Sequence, residues 1–97
     1  MNVSSSLSGM HAADLMLSAA ADNTANLDTP DYHAERVDLS ATSTGGVLAD
    51  VRRAADPGVD LAEEAVTEVV GQFLYAANAR AIKAQRDTQQ SLFDILA

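Results

Sequence analysis

The feature that most constrains this chain is a long amphipathic segment in its C-terminal part. Its apolar positions recur at steps of four and three: Val66, Val70, Phe73, Ala77, Ala81, Ala84, Thr88, Leu92 and Ile95, of which only Thr88 is polar. This spacing is the helical period and predicts an apolar stripe along one continuous helix. Asp60 suits the N-cap, Glu63 stands three residues on as in a capping box, and Glu64 places negative charge where the helix dipole favours it.

This helix is too long to fit within a compact domain of 97 residues. A helix from Asp60 to Leu96 would extend roughly 55 Å at the usual rise of about 1.5 Å per residue. A compact domain of this chain length has a radius of gyration of only about 13 Å. We therefore expect the helix to pack against the N-terminal segment, against helices of other subunits, or against both.

A second amphipathic segment lies near the N-terminus, where Ser4, Ser5 or Ser6 can cap a helix. Its stripe comprises Leu7, Met10, Ala13, Leu17, Ala20, Thr24 and Leu27. Pro30 lacks an amide hydrogen and biases the residue before it toward extended geometry, so the helix should end before it. A helix over 4–27 is shorter than its partner. A hairpin of the two therefore leaves part of the longer stripe uncovered and predicts further burial between subunits.

The segment between the helices has a different pattern. Val37, Leu39 and Ala41 alternate with polar residues, and a glycine-containing loop separates them from the apolar run 47–51. This pattern predicts a β-hairpin, and a flexible linker is the alternative. The predicted fold is a single, mainly α domain, 1–97: an antiparallel, coiled-coil-like two-helix hairpin formed by 4–27 and 59–96, with a short β-hairpin or irregular insert within 28–58.

Composition excludes several functional classes. Hydrophobic residues make up 47% and aromatic residues 4% of the 97 residues, and alanine is the commonest hydrophobic residue, so any core is thin. The net charge of -8 and the lack of a basic stripe argue against nucleic acid and anionic membranes as partners. No window is apolar and long enough for membrane insertion. The N-terminus also lacks a signal peptide, which predicts a cytosolic chain or export without a cleaved signal.

The sequence predicts no catalytic, metal or cofactor site, and hence no enzyme. Cysteine is absent, which excludes disulfides and thiolate catalysis. His11 and His33 lie on different elements, without other ligands at metal-binding spacing. Helix capping accounts for the acidic residues at 60–64, and no nucleophile or phosphate-loop motif is present.

Three amide side chains lie on or near the apolar helical faces: Asn23, Asn26 and Asn78. They can hydrogen-bond to chain ends and neighbouring backbone, or they can fix the register between packed helices. Phe73, Tyr75 and Phe93 are interpreted as core or interface anchors.

Two blocks in this chain resemble the signatures of bacterial flagellar axial proteins, the rod, hook and hook-associated group. The N-terminal pattern of that group runs Ser-Gly-Leu, an alanine-rich helix, then Ala-Asn-Asn-Ile-Ala-Asn, two variable residues and Thr-Pro-Gly-Tyr. The matching positions here are Ser8, Gly9, Ala21, Asn23, Ala25, Asn26, Thr29, Pro30 and Tyr32. The C-terminal pattern is matched by Val59, Asp60, Leu61, Glu63, Glu64, Gln72, Tyr75, Ala77 and Asn78.

The resemblance covers about two-thirds of the chain and is nearest to the small proximal-rod proteins. It departs from the family pattern at Asp22, Thr24 and Asp31. Aspartate at 31 replaces a glycine that can take a positive φ angle.

The resemblance implies a structural protein of the flagellar basal body, with a role in motility. Such a protein self-assembles with its own copies and other flagellar axial proteins, and leaves the cytoplasm unfolded through the type III export apparatus, without a cleaved signal peptide. The alternative is a soluble helical interaction module or export accessory that no longer polymerises. The residues predicted to form the assembly interface are Leu7, Met10, Leu17, Asn23, Asn26, Leu27, Val66, Val70, Phe73, Tyr75, Asn78, Leu92 and Ile95.

Overall fold

The computed structural model describes residues 2–97 and is mainly helical. Helix α1 spans Val3–Ala25, strand β1 Glu35–Ala41, strand β2 Val47–Arg53 and helix α2 Leu61–Leu96. The two strands form one antiparallel sheet, in which Glu35 pairs with Arg53 and Ala41 with Val47. The predicted arrangement of two helices with a β insert is therefore confirmed, and the insert is a hairpin, not a linker.

The two helices lie side by side and run in opposite directions. Near the start of α1, a Cβ atom added to Gly9 would lie 2.5 Å from Asn78 Oδ1. Further along α1, Leu17 packs so closely on Gly71 that an added Cβ would lie 3.0 Å from Leu17 Cγ. From residue 9 to residue 17 of α1, the contacting residue of α2 changes from 78 to 71, so the two helices are antiparallel. Two of the four contacting residues are glycines.

Helix α1 is buried on two sides by small residues that recur every seven positions. These are Ser5 and Ser6, Ala12 and Ala13, and Ala19 and Ala20. The first side faces the β-hairpin, since Ala12 lies beside Leu39 and Val47. The second side faces α2, since the Ala13 carbonyl oxygen would lie 3.5 Å from a Cβ on Gly71.

This arrangement corrects the stripe predicted for α1. Leu7 is 53% exposed and Leu27 is 43% exposed. The predicted row does include the buried Ala13 and Ala20, and Leu17 packs on α2. The face that makes the close approach carries the smallest side chains, because they let a second helix and a hairpin come near the α1 backbone. Hydrophobicity alone therefore finds only part of the buried surface of this helix, and it misses Ser5, Ala12 and Ala19.

Capping was predicted correctly for one helix and wrongly for the other. Asp60 caps α2 by accepting hydrogen bonds from the amides of Ala62 at 3.0 Å and Glu63 at 3.4 Å. In α1 the cap is Asn2, whose Oδ1 accepts from the Ser5 amide at 2.8 Å, and not one of the serines 4–6. Two of those serines lie inside the first turn as buried residues. Helix α1 also ends at residue 25, two residues earlier than predicted.

The molecule is an elongated rod. Its principal-axis extents are 63 × 24 × 14 Å and its radius of gyration is 17.2 Å, compared with about 13 Å for a compact domain of this length. Among residues 2–97, the buried hydrophobic side chains are all alanines: Ala12, Ala13, Ala19, Ala20 and Ala34. The large apolar side chains of α2 are consequently available at the surface.

Candidate assembly surface

The outward side of α2 carries a continuous apolar row, which we call the outer row. It consists of Ala62, Val66, Val69, Phe73 and Ala76, at alternating steps of four and three. The three large members are strongly exposed: Val66 at 64%, Val69 at 67% and Phe73 at 68%. Residues at this spacing share one side of a helix, so the row is a single uncharged strip about four turns long.

The outer row is exposed because a different row of α2 faces α1. The inward row contains Glu64, Thr67, Gly71, Leu74 and Asn78, again at steps of three and four, and each is buried or half-buried. The sequence pattern predicted that the α2 stripe is buried against α1, against helices of other subunits, or against both. Val66, Val70 and Phe73 of that stripe are exposed, at 64%, 42% and 68%, whereas the close approach to α1 is made at Gly71.

The end of α2 extends past α1 and forms a second exposed apolar area, the C-terminal tip. The tip is lined by Gln89, Leu92, Phe93 and Leu96. Gln89, Leu92 and Leu96 continue the inward row, and α1 begins at Val3, which lies beside Ala84 and Thr88. Helix α1 therefore does not reach the last two turns of α2. The predicted interface residue Ile95 is also exposed there.

Asn23 holds the end of α1 to the start of β1. Its side chain is fully buried, its Nδ2 donates to the Glu35 carbonyl oxygen at 3.0 Å, and its Oδ1 accepts from the Glu35 amide at 2.7 Å. The same Oδ1 accepts from the Tyr32 hydroxyl at 3.2 Å. The side chain thus hydrogen-bonds the Glu35 backbone as a neighbouring strand would, and joins helix, turn and hairpin.

The other two asparagines make shorter-range hydrogen bonds. Asn26 Nδ2 donates to the Asp22 carbonyl oxygen at 2.8 Å, and its Oδ1 accepts from Thr29 Oγ1 at 3.0 Å. Asn78 Nδ2 donates to the Leu74 carbonyl oxygen at 2.8 Å, while its amide group lies directly against Gly9. Within this chain all three amides bond to backbone, and Asn78 also marks the register of α1 on α2.

A charged cluster joins the hairpin to α2. Arg36 donates from Nη1 to Glu64 Oε1 at 2.8 Å and from Nη2 to Glu63 Oε2 at 3.2 Å. Glu64 is only 2% exposed. Both glutamates had been assigned to capping and to the helix dipole. Their carboxylates contact Arg36 of β1, and these contacts join the start of α2 to the hairpin.

The predicted interface residues do not form one continuous surface. Leu92 and Ile95 lie at the tip, whereas Val66 and Phe73 lie in the outer row. Tyr75 is two residues from Phe73 and therefore on nearly the opposite side of α2. Among the residues on or beside α1, Leu7 and Leu27 are exposed, and Met10 and Asn26 are half-buried. Leu17 packs on α2, whereas Asn23 bonds to β1.

Sequence reasoning missed Val69 and Leu96, which are among the most exposed apolar side chains, and it interpreted Phe93 as an anchor without including it in the predicted interface. The signal for Val69 was present, because 62, 66, 69, 73 and 76 form a stricter four-three row than the one chosen. Phe93 and Leu96 could be placed only after the start of α1 was known.

Within residues 2–97, no group of three or more histidine, cysteine, aspartate or glutamate side chains could hold a metal ion. Over the same residues, neither helix has a stretch long and apolar enough to cross a membrane.

Comparison with models of known protein families gives no match. Comparison with curated protein sequences gives none either.

Proposed function

We propose that this protein is a non-enzymatic structural subunit of the flagellar rod type, which assembles through coiled-coil-like packing of its helices. The outer row of α2 is the observation that carries the proposal. An uncharged strip with three large side chains about two-thirds exposed is the kind of surface that marks a protein–protein contact. The partners are other copies of this chain and other flagellar axial proteins.

The positions on which the flagellar resemblance depends have identifiable tasks in this fold. Gly9 and Asn78 come from the two separate sequence blocks and touch each other across the helix pair. Asn23 and Tyr32, both in the first block, hydrogen-bond to each other. Residues that need each other physically are expected to persist together, and this supports a shared architecture with the axial proteins.

Location and export follow from the same proposal. The chain would be made in the cytoplasm, pass through the flagellar export apparatus without a cleaved signal peptide, and take its place in the basal body. Its small alanine core suits passage in an unfolded state, because little buried apolar area opposes unfolding.

One observation favours a second candidate, a helical adaptor or export accessory that does not polymerise. The hairpin and α2 already cover two sides of α1, and the outer row of α2 is left as a long open face. A subunit in a tube needs contacts on several sides, whereas an adaptor needs one.

Deletion of the gene, scored for motility and for intact basal bodies, tests the flagellar role. Loss of motility that is restored by the wild-type gene is expected, and a deletion strain with normal motility and normal basal bodies would contradict the proposal. Complementation with Phe73→Glu should fail if the outer row is an assembly contact. Gln72→Glu adds the same charge at a neighbouring exposed position outside the row and should complement.

A further inference from the structure

We infer that two copies of this chain pair antiparallel through their outer rows, with the two-fold axis at the level of Gly71. This inference rests on the proposed self-assembly and specifies its first contact. It is drawn from the extent of the apolar row and from the charges that follow it.

The outer row changes character along α2. It is uncharged from Ala62 to Ala76, and the next positions at the same alternating steps are Arg80, Lys83 and Asp87. Lys83 and Asp87 pair with each other at 2.8 Å, and their side chains are 70% and 67% exposed. A second helix can therefore bury only the first part of this side without desolvating charges.

An antiparallel partner meets this requirement. With the axis at residue 71, Val69 lies opposite Phe73 of the second copy and Val66 opposite Ala76 of the second copy. The Val69 side chain then faces the Phe73 ring of the second copy, and the Val66 side chain faces the Ala76 methyl group, as in interdigitated helix pairs. All five positions of the row find apolar or aliphatic partners, since Ala62 meets the stem of Arg80 from the second copy.

Charge distinguishes this arrangement from a parallel one. In a parallel pair in register, Arg80 and Lys83 would each stand beside their own counterparts. In the antiparallel pair Arg80 lies opposite Ala62 and Lys83 opposite residue 59 of the second copy. Both basic side chains are then near Glu63, which stays 52% exposed although one of its oxygens bonds Arg36. Opposite charges across a helix pair select orientation and register.

The pair leaves other surfaces free for assembly. Residues opposite the tip would fall before the start of the partner's α2, so Leu92, Phe93 and Leu96 project beyond both ends of the dimer. The contact along the outer row is about 22 Å long at a rise of about 1.5 Å per residue. The row contributes five positions from each copy, whereas a standard interface has about 20–30 residues a side, so we expect the dimer to dissociate on dilution.

Single cysteines provide a direct test, because the natural chain has none. Val69→Cys and Phe73→Cys are made separately, given different affinity tags, mixed at high concentration and oxidised. Both sites are exposed, so the variants should fold, and circular dichroism checks that they do. We expect the yield of the mixed disulfide, between position 69 of one copy and position 73 of the other, to exceed the yield of either homodimer disulfide at least fivefold. Ser91→Cys lies on the same side of α2 but beyond the row, and should not crosslink with either variant.

The outcomes separate the orientation from the proposed function. Preferential homodimer disulfides at 69 and at 73 would indicate a parallel pair and would overturn this inference alone. Association of the wild-type chain by sedimentation without any crosslink at these positions would also overturn it and place the contact elsewhere. A wild-type chain that sediments as a monomer at every concentration would overturn both the inference and the proposed self-assembly.

Discussion

Asp31 is the residue at which backbone geometry and sequence disagree most clearly. Its φ angle is 58°, and no other non-glycine residue in 2–97 has a positive φ. Glycine adopts such angles freely, whereas other residues are strained there by about 1–2 kcal/mol, aspartate less than most. The resemblance to flagellar proteins, which have glycine at this position, identified the strain before the structure did.

Substitutions at residue 31 should therefore change stability in opposite directions. We expect Asp31→Gly to leave the free energy of unfolding unchanged or to raise it by up to about 1 kcal/mol, because relief of strain offsets glycine's entropy cost. Asp31→Val should lower it by about 1–2 kcal/mol. Urea denaturation measures both. Asp28→Val is the control, since it removes a charge from the same turn where no positive φ is required, and an equal loss there would contradict the explanation.

Gly9 provides a second test at the residue scale. A Cβ there would lie 2.5–2.7 Å from three atoms of the Asn78 amide. Gly9→Ala should therefore lower the free energy of unfolding by about 1–3 kcal/mol, although alanine is the better helix former.

The partner identifies the cause of that loss. In an Asn78→Ala background, which removes the amide, the Gly9→Ala change should become neutral or stabilising in urea denaturation. The same loss in both backgrounds would mean that the helices do not meet at this point.

At the scale of elements, the contact between the hairpin and α2 depends on Arg36. Replacing it with alanine leaves the buried Glu64 carboxylate without its cation. Removing one member of a buried pair costs up to about 3–5 kcal/mol, and we expect about 2–3 because Arg36 is partly exposed.

A matched surface pair provides the comparison. Arg52 and Asp38 lie 2.6 Å apart on the hairpin with both side chains more than half exposed. Arg52→Ala should cost less than about 1 kcal/mol in the same denaturation assay. Equal effects of the two alanine substitutions would show that Glu64 is hydrated in solution and that the cluster does not position α2.

The elements that sequence predicts best are those with local causes. The Asp60 cap acts on amides two and three residues away, and the hairpin follows from alternation around a glycine-containing loop, so both were predictable. The Asn23 contact with Glu35 and the Arg36 contact with Glu64 join residues 12 and 28 positions apart. Such pairs depend on how the elements pack, and no local pattern indicates them.

The sides on which the two helices face each other could not be predicted from the sequence, also for a physical reason. Each helix has several sides that could be buried, and the usual rule selects the side with the largest apolar side chains. In this molecule the buried sides of α1 carry mainly serine and alanine, and α2 has Gly71 at its close contact with Leu17, because an antiparallel pair with a hairpin beside it requires close backbone approach. The large side chains of α2 therefore remain at the surface. The sequence pattern left open whether they meet α1 or other subunits, because periodicity alone does not distinguish these two contacts.

At the scale of the whole molecule, an elongated rod with an alanine core leaves most large apolar side chains of α2 in solvent. Burial of little apolar area gives a small driving force for folding. Association through the outer row would add to it, so the stability of the chain should depend on its concentration. An isolated monomer should show frayed α2 ends, beginning with the tip that α1 does not reach.

Sedimentation equilibrium of the wild-type chain, compared with Phe73→Glu and Gln72→Glu, tests the assembly claim most directly. Over about a hundredfold range of concentration, mass action predicts that the average mass of the wild-type chain rises from monomer toward dimer or larger species. The Gln72→Glu control should follow the same curve, while Phe73→Glu should remain monomeric. A wild-type chain that stays monomeric throughout, or a Phe73→Glu variant that associates as the wild type does, would contradict the account.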